Sequence, residues 1–212
     1  NSVAYGGGAF VAVGNGGVAY RSVDGIGWTA VTTGTTNALN SVDYGAGVFA
    51  AVGVNGTILT SPNGVTWTPQ TSNAGTNTLS DVRFANNQFV AVDDAGMINS
   101  SPDGITWTAR YSGALYALED IAWGGNQYVT VGFNGEILTS PDGIAWTSRE
   151  SGTTESLWGV TWNGTQFVAV GGGFDPGTIV TSPDGITWTS RTANAASDLG
   201  AILWSGDRFV SV

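Results

Sequence analysis

An all-β fold, a β-propeller of four-stranded antiparallel blades, is predicted by three observations. The first is an eight-residue phrase, Ser-x-Asp-Gly-x-x-Trp-Thr with Asn once in place of Asp, which recurs from Ser22, Ser61, Ser101, Ser140 and Ser182. Its copies lie roughly 40 residues apart, the length of one unit in a propeller or solenoid array. The second is a set of short apolar runs in every unit, alternating at period two and rich in Val, Ile and aromatic residues, as strands require. The third is the chemistry of the linkers, which are short and rich in Gly and Asn, residues that adopt the positive φ of tight hairpin turns. No segment keeps a 3.6-residue apolar period, so a helical repeat is excluded.

The elements follow in order. First strands are read at Ser2–Tyr5, Ser41–Tyr44, Asp81–Phe84, Asp120–Trp123 and Gly159–Trp162. Second strands are read at Phe10–Val13, Phe49–Val52, Phe89–Val92, Tyr128–Val131 and Phe167–Val170. Third strands carry Ile58, Ile98, Ile137 and Ile179 and end at the Ser of the phrase, and fourth strands begin at its Trp. One domain over 1–212 is expected, with blades near 1–39, 40–78, 79–117, 118–156 and 157–198 and a partial blade over 199–212. Ala201–Trp204 and Phe209–Val212 supply only the first two strands of that sixth unit. A six-bladed ring is favoured and a five-bladed one with a surplus hairpin is the alternative. The missing strands would come from a segment upstream of Asn1, where the sequence reads as processed or partial, or from a second chain at the open edge.

Within the phrase, Pro presets a turn, Asp accepts hydrogen bonds from nearby amides, Gly takes the left-handed position, and Trp covers the turn. The positions given this structural role are Ser22, Asp24 and Trp28; Ser61, Asn63 and Trp67; Ser101, Asp103 and Trp107; Ser140, Asp142 and Trp146; and Ser182, Asp184 and Trp188. Asn63 shows that charge is dispensable, which suits a hydrogen-bond acceptor and not a catalytic or metal-bound carboxylate. Ser-x-Asp-Gly-x-x-Trp resembles a shortened form of the Asp-box, the bacterial neuraminidase repeat of sialidase-like propellers. The resemblance spans the whole chain. It implies that the boxes lie between third and fourth strands, on the face opposite any active site. It also implies a test for sialidase chemistry, which needs three converging arginines, a Tyr–Glu nucleophile pair and an Asp acid/base. Arg110, Arg149 and Arg191 instead occupy one repeated place, three residues after the box Trp, where they would guard an outer edge. Arg83 lies in a first strand, and an ion pair with Asp43 of the neighbouring blade is expected.

Composition narrows the function further. The chain has 6 basic residues, all Arg, against 16 acidic ones, for a net charge of −10. That disfavours nucleic-acid and anionic-membrane partners. There is no Cys or His, so thiolate and imidazole metal sites are excluded and general-base options shrink to carboxylates and Tyr. No apolar run approaches a membrane span. No cofactor is implied. A secreted or surface location suits the Lys-free, Gly- and Thr-rich composition. Asn55, Asn99 and Asn163 begin glycosylation sequons, two of which Asn-Gly turns explain.

Residues that break the repeat on the second-to-third and fourth-to-first loops are the candidate ligand-binding set, because repeated positions already have a packing role. They are Tyr111, Tyr116, Phe133, Glu155, Trp158, Phe174 and Asp175, all on the third to fifth units. Aromatics beside carboxylates and amides suit a glycan or peptide. Asp81, Glu119 and Asp120 begin first strands and read as an acidic rim. The expected function is a non-enzymatic binding or scaffold propeller, with carbohydrate as one ligand class. The alternatives are a sialidase-like or other carboxylate-based glycoside-active enzyme, and a purely architectural array that assembles through its open blade.

Overall fold

The computed structural model describes residues 1–173, 177–193 and 197–212. Phe174 and Asp175 therefore lie outside the described residues. The chain divides into two compact units, Asn1–Asp93 with Ile98–Arg110, and Asp94–Met97 with Tyr111–Val212.

The first unit holds three sheets, each antiparallel and ordered as in the chain. They are β1 (Ser2–Gly6), β2 (Ala9–Val13), β3 (Ala19–Ser22) and β4 (Thr29–Val31); β5 (Leu39–Gly45), β6 (Val48–Gly53), β7 (Thr57–Ser61) and β8 (Thr68–Gln70); and β9 (Leu79–Ala85), β10 (Gln88–Asp93), β11 (Ile98–Ser101) and β12 (Thr108–Arg110). The second unit holds β13 (Leu118–Gly124), β14 (Gln127–Gly132), β15 (Ile137–Ser140) and β16 (Thr147–Ser148); β17 (Ser156–Trp162), β18 (Phe167–Gly172), β19 (Thr178–Ser182) and β20 (Thr189–Arg191); and a hairpin of β21 (Ile202–Trp204) and β22 (Phe209–Ser211). First strands of successive sheets lie side by side, β1 beside β5, β5 beside β9, and β13 beside β17. This is the blade construction of a β-propeller.

Turn chemistry explains the hairpins. Four first-to-second turns place two consecutive residues at positive φ, Gly7 and Gly8, Ala46 and Gly47, Asn86 and Asn87, and Gly125 and Asn126. Such pairs match the twist of the flanking strands. Three second-to-third links are single 3-10 turns, Asn15–Gly17, Val54–Gly56 and Phe133–Gly135, where simple hairpin turns were expected. Their left-handed residues are Asn55, Asn134 and Gly16, each followed by another Gly.

Packing follows from period two. Alternate residues of a second strand face opposite sheets, so that in β6 Phe49 and Ala51 face the sheet before and Ala50 and Val52 the sheet after. Ala50 and Val52 thus pack with Phe89, Ala91 and Trp107 in the first unit. Val129 and Val131 pack with Phe167, Ala169 and Trp188 in the second. Phe49, Phe89, Tyr128 and Phe167 are fully buried, each worth about 1.5–3 kcal/mol of apolar burial. Three aromatics that end first strands lie over a glycine of the sheet before, Tyr44 on Gly6, Phe84 on Gly45 and Trp162 on Gly124. A methyl group at those glycines would occupy the ring's space.

The box is a turn staple. Asp24 Oδ1 accepts the amides of Ile26 and Gly27 at 2.8 and 2.9 Å. Asn63 Oδ1 accepts those of Val65 and Thr66 at 2.8 and 3.0 Å, so the amide does the carboxylate's work. The Ser hydroxyl accepts the Gly amide, as in Ser101–Gly104 at 2.8 Å. Trp Nε1 donates to the Gly carbonyl in three copies, at Trp28, Trp107 and Trp188. Trp28, on the first sheet, stays 40 % exposed, so its cover is only partial.

The arginines are cross-strand ties more than outer guards. Nε of Arg110, Arg149 and Arg191 donates to Ser100, Thr139 and Thr181 on the third strand at 2.8–2.9 Å. The Arg83–Asp43 pair forms at 3.9 Å, and Asp43 also accepts the amide of Phe84 at 2.7 Å. Of the sequons, Asn99 is only 1 % exposed, which rules it out as a glycan acceptor in the folded chain.

Candidate functional site

The second unit carries a groove of about 420 Å³ lined by Tyr116, Phe133, Asn134, Thr154, Ser156, Trp158, Gly172 and Gly173. Loops from two sheets meet here, as propeller topology dictates for second-to-third and fourth-to-first connections. Trp158 reaches the groove because β17 is bulged between Leu157 and Gly159. A bulge adds one residue to a strand and re-aims its side chain. Phe133 opens the 3-10 turn after β14, fixed by its amide donating to the Ala117 carbonyl at 3.0 Å. The two rings meet edge to face, centroids 4.9 Å apart and planes at 82°. Phe133 and Tyr116 remain 40 % and 43 % exposed, so apolar surface is left for a ligand.

The wall is built by hydroxyl turns. Ser151 accepts the Thr153 amide and donates to its carbonyl, and Thr153 accepts the Glu155 amide at 3.0 Å. The Thr153 carbonyl presses on Gly135 so closely that any side chain there would collide. At the rim the Glu155 carboxylate lies over Gly173, and the Asp198 carboxylate lies over Gly172. Glu136 accepts the Leu115 amide at 3.2 Å and so holds the loop that leads to Tyr116.

Tyr116, Phe133 and Trp158 thus converge, with Glu155 beside them. Tyr111 does not join them. It is 89 % exposed and its ring lies near Gly113, outside the groove. Asn134, Thr154 and Ser156 supply polar lining that reasoning from aromatic exceptions passes over. The left-handed Asn-Gly of the second-to-third loop was the signal that could have marked Asn134.

The carboxylates expected at a rim have separate duties. Asp81 accepts the Ser41 hydroxyl, and Asp120 accepts the amide of Val160 at 2.7 Å, so both tie neighbouring first strands. Partial burial and the Asp94 charge push the Glu119 carboxyl above its ordinary range, yet neither of these two lines the groove. Among the described residues no three Asp or Glu gather as a metal site. A larger depression of about 510 Å³ runs along β4, lined by Arg21, Thr29, Val31, Val65 and neighbours. It is the side of an outer strand, without the aromatic walls of the groove.

Blades of this construction define the chain as a β-propeller. No protein-family model matches it, and no curated protein matches it. Among solved structures it is similar to one described as YCF48 bound to D1 peptide, with TM-score 0.75 and 16 % identity over 100 % of this chain and 73 % of that one. It is similar also to the WD40 repeats of RRP9, with TM-score 0.76 and 9 % identity over 99 % and 71 %. YCF48 from Cyanidioschyzon merolae gives TM-score 0.52 and 15 % identity over 99 % and 91 %. These likenesses carry the fold.

Proposed function

We propose that the chain is a non-enzymatic binding propeller whose groove on the fourth and fifth blades takes an extended polypeptide segment. The observation that carries this reading is the edge-to-face pair of Phe133 and Trp158 with Tyr116 beside it. Rings set at 82° form a notch for a side chain and not one flat platform for a sugar face. Aromatic anchors in a partly desolvated pocket dominate most binding interfaces. Glu155 at the rim and a net charge of −10 favour a neutral or basic segment. The similar YCF48 structure holds a peptide, which agrees in kind.

A glycan ligand is the second reading. It is favoured by the amide and hydroxyls of Asn134, Thr154 and Ser156, which suit sugar hydroxyls. Membership of the Asp-box class and a secreted location are part of the proposal. The amide-binding geometry of the five boxes supports the first, and the Lys-free composition the second.

Peptide and glycan arrays probed with the intact chain and with Trp158→Ala separate the readings. Binding to basic or neutral peptides that falls at least about tenfold in the variant supports the proposal. Binding to glycans alone, or peptide binding that Trp158→Ala leaves unchanged, overturns it.

A further inference from the structure

We propose that the depression along β4 is a binding site for a small aliphatic carboxylate, clamped by Arg21. The observation that carries this is a set of departures from the repeat that fall in one place. Arg21 stands where the other sheets have Thr60, Ser100, Thr139 and Thr181, and Val31 stands where they have Gln70, Arg110, Arg149 and Arg191. Val23 replaces the Pro of the other boxes, and Gly27 replaces a Thr or Ala. All four line the depression of about 510 Å³, together with Val65 of the second box.

In the other sheets a tie closes this place. The long polar side chain of the fourth strand reaches back to the third-strand hydroxyl, Gln70 to Thr60 and Arg110 to Ser100, both at 2.8 Å. The first sheet lacks both halves of the tie. Val31 is too short to arch over the strands and packs against the apolar cluster shared by the first and second sheets. Arg21 reaches the second sheet instead, where its Nε donates to the Asn63 carbonyl at 3.0 Å. Its stem rests against Gly64, where an added Cβ would lie 3.5 Å from Arg21 Cδ. The guanidinium is thus held in place, and among the described residues nothing accepts a hydrogen bond from Nη1 or Nη2.

A fixed guanidinium with two free nitrogens matches the two oxygens of a carboxylate. Thr29 is the cross-strand partner of Arg21 and brings a hydroxyl to the same face. Val23, Val31 and Val65 supply an apolar wall for a branched hydrocarbon tail, and no Asp or Glu lines the depression. A largely apolar cleft of this size with a few polar groups is the usual form of a small-molecule site. The net charge of −10 gives an anion no attraction from a distance, so the clamp and the apolar wall act together. This site is distinct from the groove of Phe133 and Trp158, since it lies in the first unit and takes the opposite charge.

The test titrates the intact chain with isocaproate and follows its backbone amide resonances. Saturable shifts confined to residues 21–32 and 63–66 are expected. Affinity should be lower by at least about tenfold for isocaproamide, which keeps the tail without the charge, for acetate, which keeps the charge without the tail, and for isocaproate with Arg21→Gln. The double variant Arg21→Thr with Val31→Arg rebuilds the tie of the other sheets and is expected to fold and to lose binding. Four results overturn the proposal: no saturable shift, equal binding of isocaproamide or acetate, shifts at Phe133 and Trp158 in place of Arg21, or a folded double variant that still binds.

Discussion

Asn99 occupies the third-strand position of Leu59 and Leu138, is 1 % exposed, and neither its amide nitrogen nor its oxygen finds a partner. A buried unsatisfied polar group costs about 1–3 kcal/mol. Asn99→Leu is therefore expected to stabilise the chain by about 1–2 kcal/mol, seen as a higher urea midpoint. Asp43 shows the opposite economy. Burial pushes its carboxyl up while the Arg83 charge and the Phe84 and Tyr44 amides oppose that shift. The Asp43–Arg83 pair was legible because the repeat aligns the two positions on neighbouring first strands. The failure at Asn99 was not, since a sequence shows a polar residue in a strand without showing what lies opposite. Ala46, at φ 49°, holds a turn position where other blades place Gly or Asn. Ala46→Gly is expected to gain about 0.4–1 kcal/mol by relieving that left-handed alanine, again read from the urea midpoint.

At the scale of the element, the box hairpin sets the acid behaviour of the four blades whose box carries Asp. The amides of Thr106 and Ile105 hold the Asp103 carboxyl below its ordinary value, and those of Ala145 and Ile144 do the same for Asp142. Asp184 is lowered in the same way by the Thr187 and Ile186 amides. A carboxylate with a depressed folded pKa stabilises above its unfolded value of about 3.9 and loses that contribution as pH falls through the folded pKa. Asp103→Asn should keep the two amide bonds, as Asn63 does, leave stability at pH 7 within about 0.5 kcal/mol, and reduce the loss below pH 4. Asp103→Ala should cost about 1 kcal/mol at pH 7, because two amides lose their acceptor. Urea titrations at pH 7 and pH 3 read both. The strands and this staple were legible because period two and turn chemistry are local. The 3-10 turns and the β17 bulge were not, because they arise from loops that press on glycine backbones, as Thr153 does on Gly135.

For the whole molecule, the groove proposed as the binding site lies where the repeat fails. Tyr116, Phe133 and Trp158 were marked in the sequence as aromatics without counterparts on the first two blades. Their convergence depends on a bulge and a 3-10 turn, and the same criterion picked Tyr111, which points elsewhere. The polar lining was hidden because Asn and Thr are common in every loop of this chain. The fold follows from a pattern repeated five times, whereas the groove exists once and has no internal template. The most direct test is a titration of the intact chain and of Trp158→Ala with the tightest neutral or basic peptide from an array. Affinity lower by at least about tenfold in the variant, with an unchanged urea midpoint, is the expected result. Equal affinity of the two proteins for that peptide would contradict the assignment of this groove as the binding site.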